Sequence, residues 1–140
     1  MKGLKRVRRS IKYSKINWDN APDIKKRVKQ LVSSLEIENF DTSRIYCFRS
    51  VNAKTRAYAR IWGFAKIWQI ALDQKPAYIL EVISEKFDKL NYLEQDKVLL
   101  HELVHIPKNF SGALVPHRKR GAGNFHDKLR ELIVTYQSKK

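Results

Sequence analysis

His101-Glu102-Leu103-Val104-His105 is the stretch of the chain best suited to chemistry. Residues four apart on an α-helix share a face, so His101 and His105 can aim both imidazoles at one metal ion. Glu102 is poorly placed to join that pair, but it can reach a water on the metal. Zinc lowers the pKa of such a water to about 7, and a neighbouring carboxylate can take its proton and later hand it to a leaving amine. Short patterns of this kind arise by chance, so the surroundings matter. Val98, Leu99 and Leu100 precede the motif, Leu103 and Val104 fill its variable positions, and Ile106 follows. Two histidines and an acid on so apolar a helix are costly unless a metal or polar partners satisfy them. The plainer alternative, histidines hydrogen-bonded in a core or facing water, explains the arrangement less well.

A catalytic zinc site needs a third protein ligand and an open position. The remaining histidines are His117 and His126, so all 4 lie in the last part of the chain. His117 follows Pro116 in a loop that leaves the motif helix and can be aimed freely. His126 falls in the first turn of a final helix, beside the apolar face set by Phe125 and Leu129, and could also look inward. Either residue alone could equally face solvent.

The motif needs elements to position it. Asn91 followed by Glu94 has the form of a capping box, and the helix it opens runs through His105 and stops by Pro107. Residues 107–123 carry Pro107, Gly112, Pro116, Gly121 and Gly123 and read as a long loop, a feature usually tied to function. Asn124 can cap a last helix with Phe125, Leu129, Leu132, Ile133 and Tyr136 on one face. Upstream, Asn20 is a plausible cap for a helix with Pro22 in its first turn. There Ile24, Val28, Leu31, Val32 and Leu35 form the apolar stripe. Ile45–Phe48 reads as a strand. Residues 56–72 open with strand-period alternation, with Gly63 as a bulge or a turn between two short strands. Tyr78–Ile83 is the clearest strand. Helix, strands, helix, loop, helix is an α+β order.

At 140 residues the chain fits an N-terminal arm, residues 1–15, and one domain, residues 16–140. Cys47 stands alone, which excludes an internal disulfide and a multi-cysteine zinc site. Neither a signal peptide nor a membrane-spanning run is evident, so a cytoplasmic protein without a membrane partner is expected. The formal charge is +15, from 29 basic and 14 acidic residues. Lys2, Lys5, Arg6, Arg8, Arg9, Lys12 and Lys15 form an arm free of acids, and Arg44, Arg49, Lys54, Arg56, Arg60 and Lys66 lie in an acid-free stretch between Asp41 and Asp73. Such charge points to a polyanionic partner, nucleic acid gripped by the arm, or else to a lysine-rich solvated surface. Trp62, Phe64 and Trp68 among these cations would suit base stacking, or simply form the core of a small sheet.

From about Trp18 to Phe125 the chain resembles the metallopeptidases of phages and archaea, minimal zincins related to the SprT-like group. The matching stretches are Ala59-Arg60-Ile61-Trp62-Gly63, Ile67-Trp68-Gln69, Tyr78–Ile83 and Leu99 through Pro107, with Gly112, Leu114, Pro116 and His117 downstream. The Ile-Pro after the second motif histidine is the more distinctive mark. The resemblance implies a zincin-like domain, a small twisted sheet packed on the motif helix and flanking helices. It also implies a zinc ion held by His101, His105 and His117, with Glu102 as base. Arg118-Lys119-Arg120-Gly121 departs from the family pattern, setting Phe125 further beyond His117 than its counterpart. The leading expectation is a zinc metallopeptidase acting on a protein or peptide substrate. Zincins similarly place a strand beside the motif helix; if Tyr78–Ile83 is the sheet edge, it could pair with an extended substrate. Arg118, His126 and Tyr136 are candidates for stabilising the oxyanion. A second reading is a basic nucleic-acid-binding protein with a structural metal site. The two combine in a SprT-like protease acting on DNA-bound proteins.

Overall fold

Ile24, Val28, Leu31 and Val32 recur at helical spacing and all are buried, which turns one face of Pro22–Ser34 (α1) onto a sheet. The computed structural model describes residues 15–117 and 125–139; the arm over residues 1–14 and the Asn124 cap lie outside the described residues. Pro22 opens α1 as expected, but Asn20 does not cap it. Asn20 is the last residue of a short strand, Asn17–Asn20 (β1), where it pairs with Phe48, and the next amide, Ala21 N–H, still donates to the Cys47 carbonyl. Sheet pairing therefore claims the backbone up to the helix itself.

The remaining elements are Ile45–Val51 (β2), Ala59–Trp62 (β3), Lys66–Leu72 (α2), Tyr78–Ile83 (β4), Ser84–Phe87 (α3), Tyr92–Val104 (α4) and Phe125–Ser138 (α5), with a 3-10 turn at Thr42–Arg44 before β2. The strands form one sheet in the order β1-β2-β4-β3. β2 and β4 run parallel, whereas β1 and β3 flank them antiparallel. The fold is α+β. Tyr78–Ile83 is thus an interior strand and not the edge. Its composition explains this, since all but Ile79 are buried and a strand covered on both faces reads as a nearly unbroken apolar run. The edges of the sheet are β1 and β3. Residues 56–72 also differ from a pair of strands: β3 ends at Trp62 and α2 follows Gly63.

Pleating sends alternate residues to opposite sheet faces. Ile45, Cys47, Ala59, Tyr78, Leu80 and Val82 meet Leu99, Leu100 and Leu103 of α4 and the apolar stripe of α1 in one core. Leu129, Leu132 and Ile133 of α5 pack against that core, and Tyr136 is buried. Asn91 caps α4 as anticipated, its side-chain oxygen accepting from the Glu94 amide at 2.9 Å. Among the described residues, no helix is long and apolar enough to cross a membrane.

A buried ionic cluster ties the helices together. The Arg27 guanidinium of α1 donates to Asp96 of α4 at 2.5 Å, to Gln95 Oε1 at 2.6 Å and to the Tyr92 carbonyl at 3.0 Å. Tyr136 of α5 donates its hydroxyl to the other Asp96 oxygen. Burial and the Asp96 carboxylate push the Tyr136 phenol well above its ordinary range. The side chains of Arg27 and Asp96 are only 12% and 5% exposed, so removing one charge strands the other in a poorly solvated place. Asp96→Ala is therefore expected to cost about 3–5 kcal/mol of unfolding free energy. Urea denaturation measures this, and an unchanged midpoint would show that the cluster carries no such role.

Candidate metal centre and active site

The last turn of α4 carries His101 and, at its C-cap, His105. Four-residue spacing brings their rings to a centroid distance of 5.4 Å. His117 comes from the loop beyond the helix and packs against both, 5.0 Å from His101 and 4.4 Å from His105 by ring centroids. One nitrogen from each of the three lies within 4.8 Å of the others. His101 Nε2 and His117 Nε2 are 2.9 Å apart. In a tetrahedral zinc site with Zn–N of about 2.0–2.1 Å, ligand nitrogens stand about 3.4 Å apart. Shifts of an ångström or so would bring these three into that geometry, and imidazole nitrogens are the right donors for zinc. The site fits a metal ion.

His105 Nδ1–H donates to the Val115 carbonyl at 2.5 Å, which fixes the ring's tautomer and makes Nε2 the nitrogen suited to ligate a metal. Burial lowers the His105 pKa, with the facing His117 adding to the effect and the Val115 carbonyl opposing it. Neutral imidazole is thereby favoured, the form a metal requires.

The route by which His117 returns to α4 depends on residues with no ligating role. Val115 N–H donates to the His105 carbonyl at 2.7 Å, starting the loop back along the helix end. Tyr78 of β4 accepts from Gly112 N–H at 2.8 Å and donates to the Ala113 carbonyl at 2.8 Å. Gln69, the buried residue of α2, donates to the Phe64 and Ser111 carbonyls at 2.8 and 2.9 Å. Phe64 N–H donates to the Gly112 carbonyl at 2.8 Å. Gly63 and Gly112 cross so closely that a Cβ on Gly63 would lie 2.5 Å from the Gly112 oxygen, and Gly112 itself has φ +96°. Gly63 is therefore neither a bulge nor a strand–strand turn; it is the point where β3 gives way beneath the histidine loop. Gln69 and Tyr78 are positioning residues that motif reading does not single out. Their only sequence signal is that both lie in the stretches of family resemblance.

Glu102 is buried beside this cluster, with Oε2 3.9 Å from His101 Nε2. Burial pushes its pKa up to about 7. The family model described as "Putative phage metallopeptidase" matches residues 16–132. The chain belongs to this family. No significant match occurs among curated proteins or among solved structures. Phage metallopeptidase membership implies a metal ion, and the three converging histidines could hold one. Of the three candidates for the oxyanion group, Tyr136 donates its hydroxyl to Asp96 in the ionic cluster. Arg118 and the His126 side chain lie outside the described residues.

The elevated Glu102 pKa has a consequence for metal-free protein. A folded-state pKa above the unfolded value means that the folded chain holds the proton more tightly. The stabilisation is complete below about pH 4.5 and is lost as pH rises through about 7. Metal-free Glu102→Gln, which has no charge to bury, should be more stable than metal-free wild type at pH 8 by on the order of 2–3 kcal/mol. At pH below about 4.5 the two should nearly coincide. Denaturation of both chelator-treated proteins across this range checks the sign.

Proposed function

We propose that the chain is a zinc-dependent peptidase in which His101, His105 and His117 hold the metal and Glu102 is the general base. The observation that carries this reading is the convergence of three imidazole nitrogens within 4.8 Å beside a buried carboxylate whose pKa lies near neutrality. A structural site has no need of such an acid next to its ligands. A zinc ion held by the three histidines would supply Lewis acidity and a more acidic water. Glu102, beside His101, would be the group that takes up a proton and passes it on to a leaving amine. Burial of His105 and its bond to Val115 keep the ligand face in register during turnover.

On this reading an extended substrate is assigned to the edge of β3. This strand pairs with β4 on one side only among the described residues, and α4 packs against it. An extended peptide adding to its open edge would gain backbone hydrogen bonds independent of sequence. This assigns to β3 the part that Tyr78–Ile83, as an interior strand, is barred from playing.

Metal analysis of purified protein is expected to find one zinc ion per chain, and a casein-type assay to find metal-dependent cleavage. Glu102→Gln retains size and hydrogen bonding, so zinc should stay bound while turnover falls by about 10²-fold or more. Equal turnover in wild type and Glu102→Gln would refute the mechanism.

The third ligand is tested separately by chelator competition on His117→Ala and His126→Ala. His117→Ala should empty the site. His126→Ala should leave it filled, or weaken it only by the roughly 10–100-fold typical of a group that orients a ligand. The reverse pattern would overturn the assignment of His117.

A further inference from the structure

The sheet face opposite the helices carries an organised aromatic surface that the peptidase reading leaves without a role. Tyr46 of β2 and Trp62 of β3 both pair with Ile79 of β4, so the three stand in one row across adjacent strands. They are 43%, 45% and 40% exposed. The three line a slot of about 240 Å³, with Arg44, Phe64 and Gln74 also in its wall. Two strand spacings separate the rings by about 9.6 Å at the backbone. One flat ring stacked between two others needs two contacts of about 3.5–4.0 Å each. At the backbone, that separation leaves room for one flat ring.

Trp62 is held in place at some cost. Its indole N–H donates to Glu81 Oε1 at 2.9 Å, and Glu81 is fully buried beneath it. Arg60 donates to both Glu81 oxygens, at 2.8 and 3.2 Å, and its guanidinium lies 5.0 Å from the centre of the Trp62 ring. Although burial alone would raise the Glu81 pKa, these bonds hold it below its ordinary value. A carboxylate neutralised by arginine thus clamps a half-exposed tryptophan whose polar edge is already satisfied. What remains is a rigid stacking surface.

The surroundings select the kind of ring. No acidic residue lines the slot. Arg44 lies 6.0 Å and Lys25 Nζ 5.9 Å from the centre of the Tyr46 ring. The strands that supply both rings come largely from the acid-free stretch between Asp41 and Asp73, in a chain of net charge +15. An aromatic side chain of a partner protein would gain only a cation–π contact here, whereas a nucleotide brings a phosphate for the cations as well as a ring.

We propose that this slot is a base-stacking site for single-stranded nucleic acid: one base enters between Tyr46 and Trp62 over Ile79, with Arg44 at the rim facing the backbone phosphate. Single strands are favoured because a base paired in a duplex cannot enter between two rings. The proposal does not rest on the peptidase reading.

The test is fluorescence anisotropy of the full chain with a labelled oligothymidylate of about 16 nucleotides, compared with a duplex of equal length. Wild type is expected to bind the single strand more tightly. Tyr46→Leu removes one uncharged wall, away from the metal centre and from β3. It should weaken binding by about fivefold or more while leaving the dependence on salt unchanged. Ile79→Glu places a charge on the floor and should weaken binding further. Circular dichroism melting identifies any variant that fails to fold, and the other then carries the test. The proposal is overturned if wild type binds no oligonucleotide at low salt, if it prefers the duplex, or if both folded variants bind as wild type does. It is equally overturned if a tryptophan-rich peptide occupies the slot, by Tyr46-dependent binding, and oligothymidylate does not compete.

Discussion

Helix α4 must serve the core and the site with the same 13 residues. Leu99, Leu100 and Leu103 are fully or almost fully buried, and Glu102 lies among them on the next position. A carboxylate in that setting is poorly solvated, which is why its pKa rises to about 7. The same burial that stabilises the leucines raises the pKa of Glu102 and lowers that of His105. Packing and the candidate site are thus coupled: Glu102 and His105 are buried with the core, whereas His101 is half-buried and His117 exposed at its rim.

The helix alone supplies two imidazoles, and the third depends on chain path. Loops cannot hold a ligand by propensity; they need their backbone polar groups satisfied along the way. Here Tyr78 uses one hydroxyl both to accept from Gly112 and to donate to Ala113, and Gln69 secures Ser111 and Phe64 with one amide. These contacts come from β4 and α2, so the sheet reaches the metal centre indirectly. They also account for α2. It buries Gln69 and leaves Ile67, Trp68 and Ile70 exposed, so its attachment through that glutamine is polar rather than apolar.

What the sequence discloses follows from which forces are local. Spacing of four, an Asn91 cap and a Pro107 stop are properties of one segment, and α4 forms where they place it. The apolar stripe of α1 is equally local. The position of β4 between two neighbours is not, although its unbroken apolar run hints at it. Residues 56–72 mislead because alternation at Ala57–Phe64 continues past the point where the chain turns. The turn is dictated by a backbone 49 positions away, that of Gly112 against Gly63. Trp62 and Trp68 also resist a sequence reading. Aromatic residues in a small sheet are ordinarily core, yet these are 45% and 58% exposed. Only the register with Ile79 and the buried Glu81 shows that Trp62 is displayed by design of the sheet.

β3 is where the two faces of the molecule meet. Its alternate residues divide cleanly: Ala59 and Ile61 go to the core side, Arg60 and Trp62 to the open side. The four residues of this strand therefore pack toward the helix that bears the histidines while clamping the aromatic slot behind them. Its length is set at one end by Gly63, where a side chain would collide with the loop that brings His117 home. Any shift of β3 along β4 by one residue would exchange its two faces, exposing Ile61 and driving Arg60 into the core. The Arg60–Glu81 pair forbids that slip, because only the observed register puts the guanidinium opposite the buried carboxylate. A single ion pair on the face away from the metal thus helps hold the strand, the glycine crossing and the third histidine in one arrangement.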